Sequence, residues 1–182
     1  MITALVLATL ALSGSPEITP ESIRARHSGA KSLTAEIVQT KEGKYWARPF
    51  TTRVRLRWTP GRVEWVTLDP VPSTVVIEGD RIRVVGDGRD RDLGAVANDP
   101  RFAALLRLLR ALAAFDIPAL EEDFSLTWGG RDITATPRPR SNLAMIRQVK
   151  LSFDDEGEIR LIEMSTPTET TRVEFQRVER VR

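Results

Sequence analysis

The stretch that decides the fold reads RVRLRWTPGRVEW and covers residues 53–65. On its first arm, apolar residues such as Val54 and Leu56 alternate with arginines. Its second arm alternates apolar and polar residues again, and Pro60-Gly61 between the arms is a typical turn sequence. Because a period of two is typical of antiparallel strands with one buried face, this stretch predicts a β-hairpin.

The same period of two continues outward, over residues 33–84 and again over residues 124–178. Between these ranges, Asp99-Pro100 and the following leucines at helical spacing predict a helical insert, and residues 20–30 predict a short first helix. The predicted order is a helix, five or six strands, the insert and about five strands. An antiparallel sheet of this size must curl to bury one face, so we expect an α+β fold with helices over the concave side.

Composition supports a folded, single-domain protein of 182 residues with 41% apolar and 29% charged residues. The net charge is only +2 and the arginines alternate with apolar residues along strands, which argues against a nucleic-acid-binding protein. Since there are no cysteines, disulfides, thiolate metal sites and cysteine nucleophiles are excluded.

The chain begins with an apolar, uncharged run from Ile2 to Leu12. A membrane-spanning helix needs about 20 residues, so the run is too short to span a bilayer. Small residues near Ser13 fit a cleavage site, and we expect a signal peptide within residues 1–15 followed by one exported, periplasmic domain over residues 16–182. The alternatives are a buried N-terminal helix or an uncleaved anchor.

The sequence predicts no catalytic residue, cofactor or metal site. His27 is the only histidine, and it lies on a helix that we expect to be exposed. The acidic pair Asp154-Asp155 is explained by a turn, and the acidic run at 121–123 by a helix end. We therefore expect a binding protein rather than an enzyme.

Arg53, Arg55 and Arg57 share one face of a predicted strand. They could attract phosphate head groups or an acidic partner, or they could form a solvated face that blocks edge pairing, and the second interpretation is favoured. Trp46 is interpreted as a rim or contact residue, and Trp128 as part of the core.

Five short segments, taken in their order, resemble the LolA family, the periplasmic carriers of outer-membrane lipoproteins. The segments are SLTAEIVQTK, LRWTPGRVEW, PVPSTVVIEGDRIRVV, ATPRP and IRQVKLSFDDEGEIRLIEM. The resemblance extends over residues 18–178 and places the helical insert where the family has its lid helices. It implies an incomplete antiparallel β-barrel, closed by helices, with an apolar cavity for acyl chains.

The resemblance also implies partners: a lipoprotein or other lipid as cargo, an inner-membrane transporter as donor and an outer-membrane acceptor, with the carrier itself a monomer. The family's best-known carriers have a basic residue immediately before the proline that corresponds to Pro60, whereas this chain has Thr59. Arg57 or Arg62 could replace that residue. The difference indicates a diverged, LolA-like branch in which the cargo could be a lipid or glycolipid.

Two sets of apolar residues are predicted to line the cavity or its lid. The strand set is Trp58, Trp65, Val75, Ile77, Ile82 and Val84, and the helix set is Phe102, Leu105, Leu106, Leu109 and Leu112. The alternative for both sets is an ordinary, permanently packed core. Two other functions remain open: a periplasmic sensor or accessory subunit that binds a protein, and a lipid enzyme, which would need a polar cluster in the cavity.

Overall fold

The computed structural model describes residues 19–27, 29–93, 99–139 and 141–182, without the side chains of Arg24 and Phe102. The predicted signal peptide lies outside the described residues. Within the described residues, no helix is long and apolar enough to cross a membrane.

In these ranges the chain forms three helices and eleven strands, in the order that the sequence predicted. The helices are α1 (Pro20–His27), α2 (Pro100–Ala114) and α3 (Ile117–Asp123). The strands before the helical insert are β1 (Ser32–Gly43), β2 (Phe50–Thr59), β3 (Arg62–Asp69), β4 (Ser73–Glu78), β5 (Arg81–Gly86) and β6 (Arg89–Asp92). The strands after it are β7 (Phe124–Gly129), β8 (Asp132–Pro137), β9 (Gln148–Phe153), β10 (Ile159–Ser165) and β11 (Glu169–Val181).

All the described strands join one antiparallel sheet in the order β6-β5-β4-β3-β2-β1-β11-β10-β9-β8-β7. The edge strands β6 and β7 do not pair with each other, so the barrel is incomplete. These two edges are consecutive in the chain and are connected by the segment that contains α2 and α3. The predicted α+β fold, an incomplete antiparallel barrel with a helical cover, is confirmed.

Strand register places the apolar residues of the sequence pattern on one face. One cross-strand row runs through Ala35, Leu56, Trp65, Val75 and Val84, each paired with the next across β1 to β5. Directly opposed residues point to the same side of a sheet. This face shares one buried core with residues of all three helices, so the helices lie on the concave side.

Helix α2 begins as predicted, since Asp99 accepts a hydrogen bond from the Arg101 backbone N–H at 2.8 Å. The predicted apolar stripe is wrong at Leu109, which is 38% exposed, whereas Leu108 is 3% exposed. The helix has leucines on several sides, and the face that packs is Ala104, Leu108 and Ala111 together with Leu106 and Leu112.

The predicted exposure of His27 is also wrong. Its ring lies against Phe115, with ring centroids 4.4 Å apart, and its Nδ1 is 3.0 Å from a terminal nitrogen of Arg180. Burial, helped by the nearby Arg180 cation, lowers the pKa of His27 to about 4, so the ring is neutral at pH 7. Arg180 in turn binds both carboxylate oxygens of Glu158, at 2.9 and 3.0 Å. This cluster fastens α1 to β11 and to the end of α2.

Candidate functional site

A cavity of about 640 Å³ opens at the end of the sheet where β1 ends and β2 begins. Strands β1 to β6 and the loops between them form its walls. Its lining residues are Gln39, Lys41, Trp46, Phe50, Thr52, Thr67, Pro70, Val71, Ser73, Val84, Gly86, Asp87, Arg89 and Arg91. We refer to it as the end cavity.

Strand register explains why these residues meet. Thr67 pairs with Ser73, Ser73 with Gly86 and Gly86 with Arg89, so one row crosses four strands on the concave side. A Cβ atom added to Gly86 would lie 3.1 Å from the Cβ of Ser73, so the absence of a side chain leaves room between β4 and β5. Glycine at position 86 therefore allows the Ser73 side chain to approach β5 closely.

An aromatic wall stands at the mouth of the end cavity. The rings of Trp46 and Phe50 stack with centroids 5.2 Å apart and planes 11° from parallel. The indole N–H of Trp46 donates a 2.6 Å hydrogen bond to Glu169, whose other carboxylate oxygen accepts from the hydroxyl of Thr171. Because the indole is held on two sides, this flat apolar surface is already in place without a ligand.

The opposite side of the end cavity is cationic. Strand β6 alternates arginine and aspartate, and its register places Arg89 and Arg91 on the cavity side. The aspartates Asp90 and Asp92 lie on the convex side. With Lys41, the lining has three cations against one carboxylate, Asp87. Strand β6 was not predicted from the sequence, although its alternation of charges has the period of a strand.

Ion pairing differs between the two faces. On the convex face, Arg83 pairs with Asp90, Arg62 with Glu64 and Glu78, and Arg53 with Asp69. Within the described ranges, no ion pair or hydrogen bond engages the side chains of Lys41, Arg89 or Arg91. The cations of the end cavity are therefore available to a ligand, whereas those outside are largely neutralised.

The predicted strand set divides between the end cavity and the core. Val84 lines the end cavity. Ile77 and Ile82 are buried, and Trp58, Trp65 and Val75 are half-buried against the core. The structure thus brings one member of this set to the open space and places the others farther along the concave face.

The predicted helix set is partly core. Leu106 and Leu112 are buried, Leu105 is half-buried against the core, and Leu109 faces outward. The side chain of Phe102 lies outside the described residues. In this structure, side chains of the chain itself fill the concave face beneath α2.

Neither candidate for the missing basic residue before Pro60 turns toward the helices. Arg57 and Arg62 both pair with Glu64 on the convex face, and Arg62 also binds Glu78. These contacts lower the pKa of the Glu64 carboxyl group, mainly through the hydrogen bond from Arg62. Both arginines thus fit the favoured interpretation of a solvated outer face.

A metal centre finds no support in the part of the chain that the structure describes. No group of three or more histidine, aspartate or glutamate side chains comes close enough there to hold a metal ion. The cluster of His27, Glu158 and Arg180 lies outside the lining of the end cavity.

Comparison with known proteins finds similarity in structure only. No protein-family profile and no curated protein sequence matches the chain. An outer membrane lipoprotein-sorting protein domain from Vibrio parahaemolyticus is similar with a TM-score of 0.48 at 9% identity, over 88% of this chain and 89% of that chain. The LolA superfamily protein NE2245 from Nitrosomonas europaea has a TM-score of 0.44 at 9% identity, over 91% and 94%.

The complex of MucA and MucB from Pseudomonas aeruginosa also contains a similar chain. Its TM-score is 0.48 at 17% identity, over 89% of this chain and 56% of that chain. Similarities this distant do not identify a ligand, which must be inferred from the end cavity itself. The sequence resemblance to the LolA family implied an incomplete barrel covered by helices, and the structure has that architecture.

Proposed function

We propose that this chain is a periplasmic carrier that binds acylated cargo, a lipoprotein or another lipid, for transfer toward the outer membrane. The observation that carries the proposal is the end cavity, an open space of about 640 Å³ with a fixed aromatic wall. Binding pockets for small molecules typically measure about 300–1,000 Å³, so a single acyl chain is a suitable occupant.

The end cavity suits reversible binding. Each methylene removed from water contributes roughly 0.8 kcal/mol, so a chain that is buried along its whole length would leave slowly. Since Trp46, Phe50 and Val71 lie at an open mouth, part of a bound chain would stay accessible to an acceptor. We propose an inner-membrane transporter as donor and an outer-membrane protein as acceptor.

A movable α2 would extend the space available to cargo. In the described state, Leu106 and Leu112 are buried in the core that the helices share with the concave face. Displacement of α2 would exchange these contacts for contacts between cargo and the predicted strand set, which includes Trp58 and Trp65. We propose this exchange as the route by which longer or multiple chains are held.

A second function, the binding of a protein by a sensor or accessory subunit, is favoured by a different observation. The concave face beneath α2 is filled by the chain's own residues, while Leu109 and Met145 are 38% and 57% exposed. Such residues could contact a protein partner. The carrier function requires that the end cavity can take up an acyl chain, whereas protein binding does not. This difference can be tested.

We expect Ser73→Phe to weaken binding of a lipid with a dansyl-labelled acyl chain by about tenfold. The new ring would occupy the space next to Gly86 and displace about two methylenes of the ligand, which at roughly 0.8 kcal/mol each corresponds to such a factor. Titration of the dansyl fluorescence gives Kd for both proteins.

Thr74→Phe is the matched control, because Thr74 is the next residue of β4 and points to the convex face. It should bind the probe as the wild type does. If Ser73→Phe also binds unchanged, the end cavity is not the acyl site. If the wild-type protein does not bind the probe at all, the protein-binding function replaces the carrier function.

A further inference from the structure

We infer that the end cavity selects acylated cargo with an anionic head group of the phosphate class, held by Arg89 and Arg91, with Lys41 in the same lining. This inference rests on the proposed function, since it takes the acyl chain to lie in the same cavity. It adds the chemical class of the cargo, which neither the fold nor the resemblance specifies.

The first step is the placement of charge on β6. A strand rises about 3.3 Å per residue, so Arg89 and Arg91 have Cα atoms roughly 7 Å apart on one face. That separation is within the screening length of about 8 Å at physiological salt, so the two cations repel each other. The neighbouring aspartates, Asp90 and Asp92, point to the convex side, where Arg83 binds Asp90. They therefore do not reduce the repulsion between the two arginines on the concave side.

The second step is the charge balance of the lining. Three cations and one carboxylate leave a net charge of +2 in the end cavity. A phosphate monoester or diester has a charge between about −1 and −2 near neutral pH and presents several acceptor oxygens. The planar guanidinium group of each arginine can bind two phosphate oxygens at once. A ligand carboxylate has only two oxygens and would satisfy the two arginines less completely.

The third step is the position of the cations relative to apolar surface. Arg91 is directly paired with Val84, and both line the end cavity. Opposed side chains on one face of a sheet are about 5 Å apart at Cβ, so polar and apolar walls meet within one cross-strand pair. Trp46 and Phe50 continue the apolar wall. A molecule with a charged end joined to an acyl chain fits this arrangement, whereas a free anion would leave the aromatic wall unused.

The experiment compares two lipids that differ only in the phosphate group, oleoyl lysophosphatidic acid and monooleoylglycerol, with glycerol 3-phosphate as the free anion. We expect wild-type protein to bind the phosphate-bearing lipid about tenfold or more tightly than the neutral one, because only the phosphate accepts charge-assisted hydrogen bonds from the arginines. Raising NaCl from 0.1 to 0.5 M should weaken only the binding of the charged lipid. Isothermal titration calorimetry below the critical micelle concentration gives each Kd.

The double variant Arg89→Gln/Arg91→Gln should bring the Kd for oleoyl lysophosphatidic acid close to the Kd for monooleoylglycerol, both measured on that variant. Arg55→Gln/Arg57→Gln removes the same charge from the convex face of β2 and should keep the wild-type ratio. Thermal melts establish that both variants are folded, and the salt series tests the inference without any variant.

The outcomes separate this inference from the proposed function. Equal affinity of the wild-type protein for both lipids would overturn the head-group inference and leave the acyl-binding function standing. Failure to bind either lipid would overturn both. Glycerol 3-phosphate that binds as tightly as lysophosphatidic acid would assign the cations to a free phosphate rather than to a lipid.

Discussion

Gly43→Ala is expected to lower the free energy of unfolding by about 3 kcal/mol, a sum of backbone strain and overpacking that each cost roughly 1–3 kcal/mol. Gly43 ends β1 with φ near +151°, and an added Cβ would lie 2.2 Å from the carbonyl oxygen of Thr168. That carbonyl also accepts the backbone N–H of Lys44 at 2.9 Å, so it cannot withdraw without losing a hydrogen bond. Chemical denaturation measures the change.

Gly61→Ala is the control for the backbone contribution alone. Gly61 has φ near +82° in the turn between β2 and β3, and nothing lies within 4 Å of an added Cβ. Its replacement should cost about 1 kcal/mol. An equal loss in both variants would show that the contact between β1 and the turn before β11 does not constrain Gly43.

Glu158→Gln is expected to lower the free energy of unfolding by about 3 kcal/mol, because loss of one partner leaves a buried charge uncompensated. The side chains of Glu158 and Arg180 are only 15% and 10% exposed. Arg180 holds the pKa of the Glu158 carboxyl group below its usual value against the opposing effect of burial. Thermal unfolding should show a drop in Tm of roughly 6–12 °C for a domain of this size.

Glu156→Gln makes the same chemical change two residues earlier in the same turn. The Glu156 side chain is 79% exposed and pairs with Arg26 at 3.4 Å, so its loss should cost no more than about 1 kcal/mol. Similar Tm values for the two variants would mean that the buried cluster of His27, Glu158 and Arg180 does not fasten α1 to the sheet.

The sheet could be predicted from the sequence because its signal is local. Val54 and Leu56 on β2 alternate with arginines, and the register of β1 to β5 keeps that alternation on one face. The caps of α2 and α3 are equally local, since Asp99 and Asp116 accept hydrogen bonds from backbone N–H groups two and three residues later. Such signals alone predicted five or six strands, a helical insert and about five further strands.

The features that the sequence analysis missed depend on distant parts of the chain. His27 is buried by Arg180, 153 residues later in the sequence, and a short polar helix gives no sign of this. Leucines at 108 and 109 both fit an apolar stripe, so only packing decides which one is buried.

The location of the end cavity could not be predicted for a related reason. It lies where the concave face is not filled by residues of the helices, and no periodicity marks that boundary. Trp46 reaches it through a loop and a hydrogen bond to Glu169, which is 123 residues away in sequence. Strand β6 contains charged residues throughout, so an analysis based on apolar periodicity passes over it.

Native mass spectrometry of the protein, purified from cells under non-denaturing conditions, tests the central claim that the end cavity holds an acylated ligand. The proposed function predicts a complex with one bound amphiphile, and fragmentation should release an acyl chain and, by the further inference, a phosphate group. A bare chain mass that stays unchanged after incubation with oleoyl lysophosphatidic acid and monooleoylglycerol would contradict the claim.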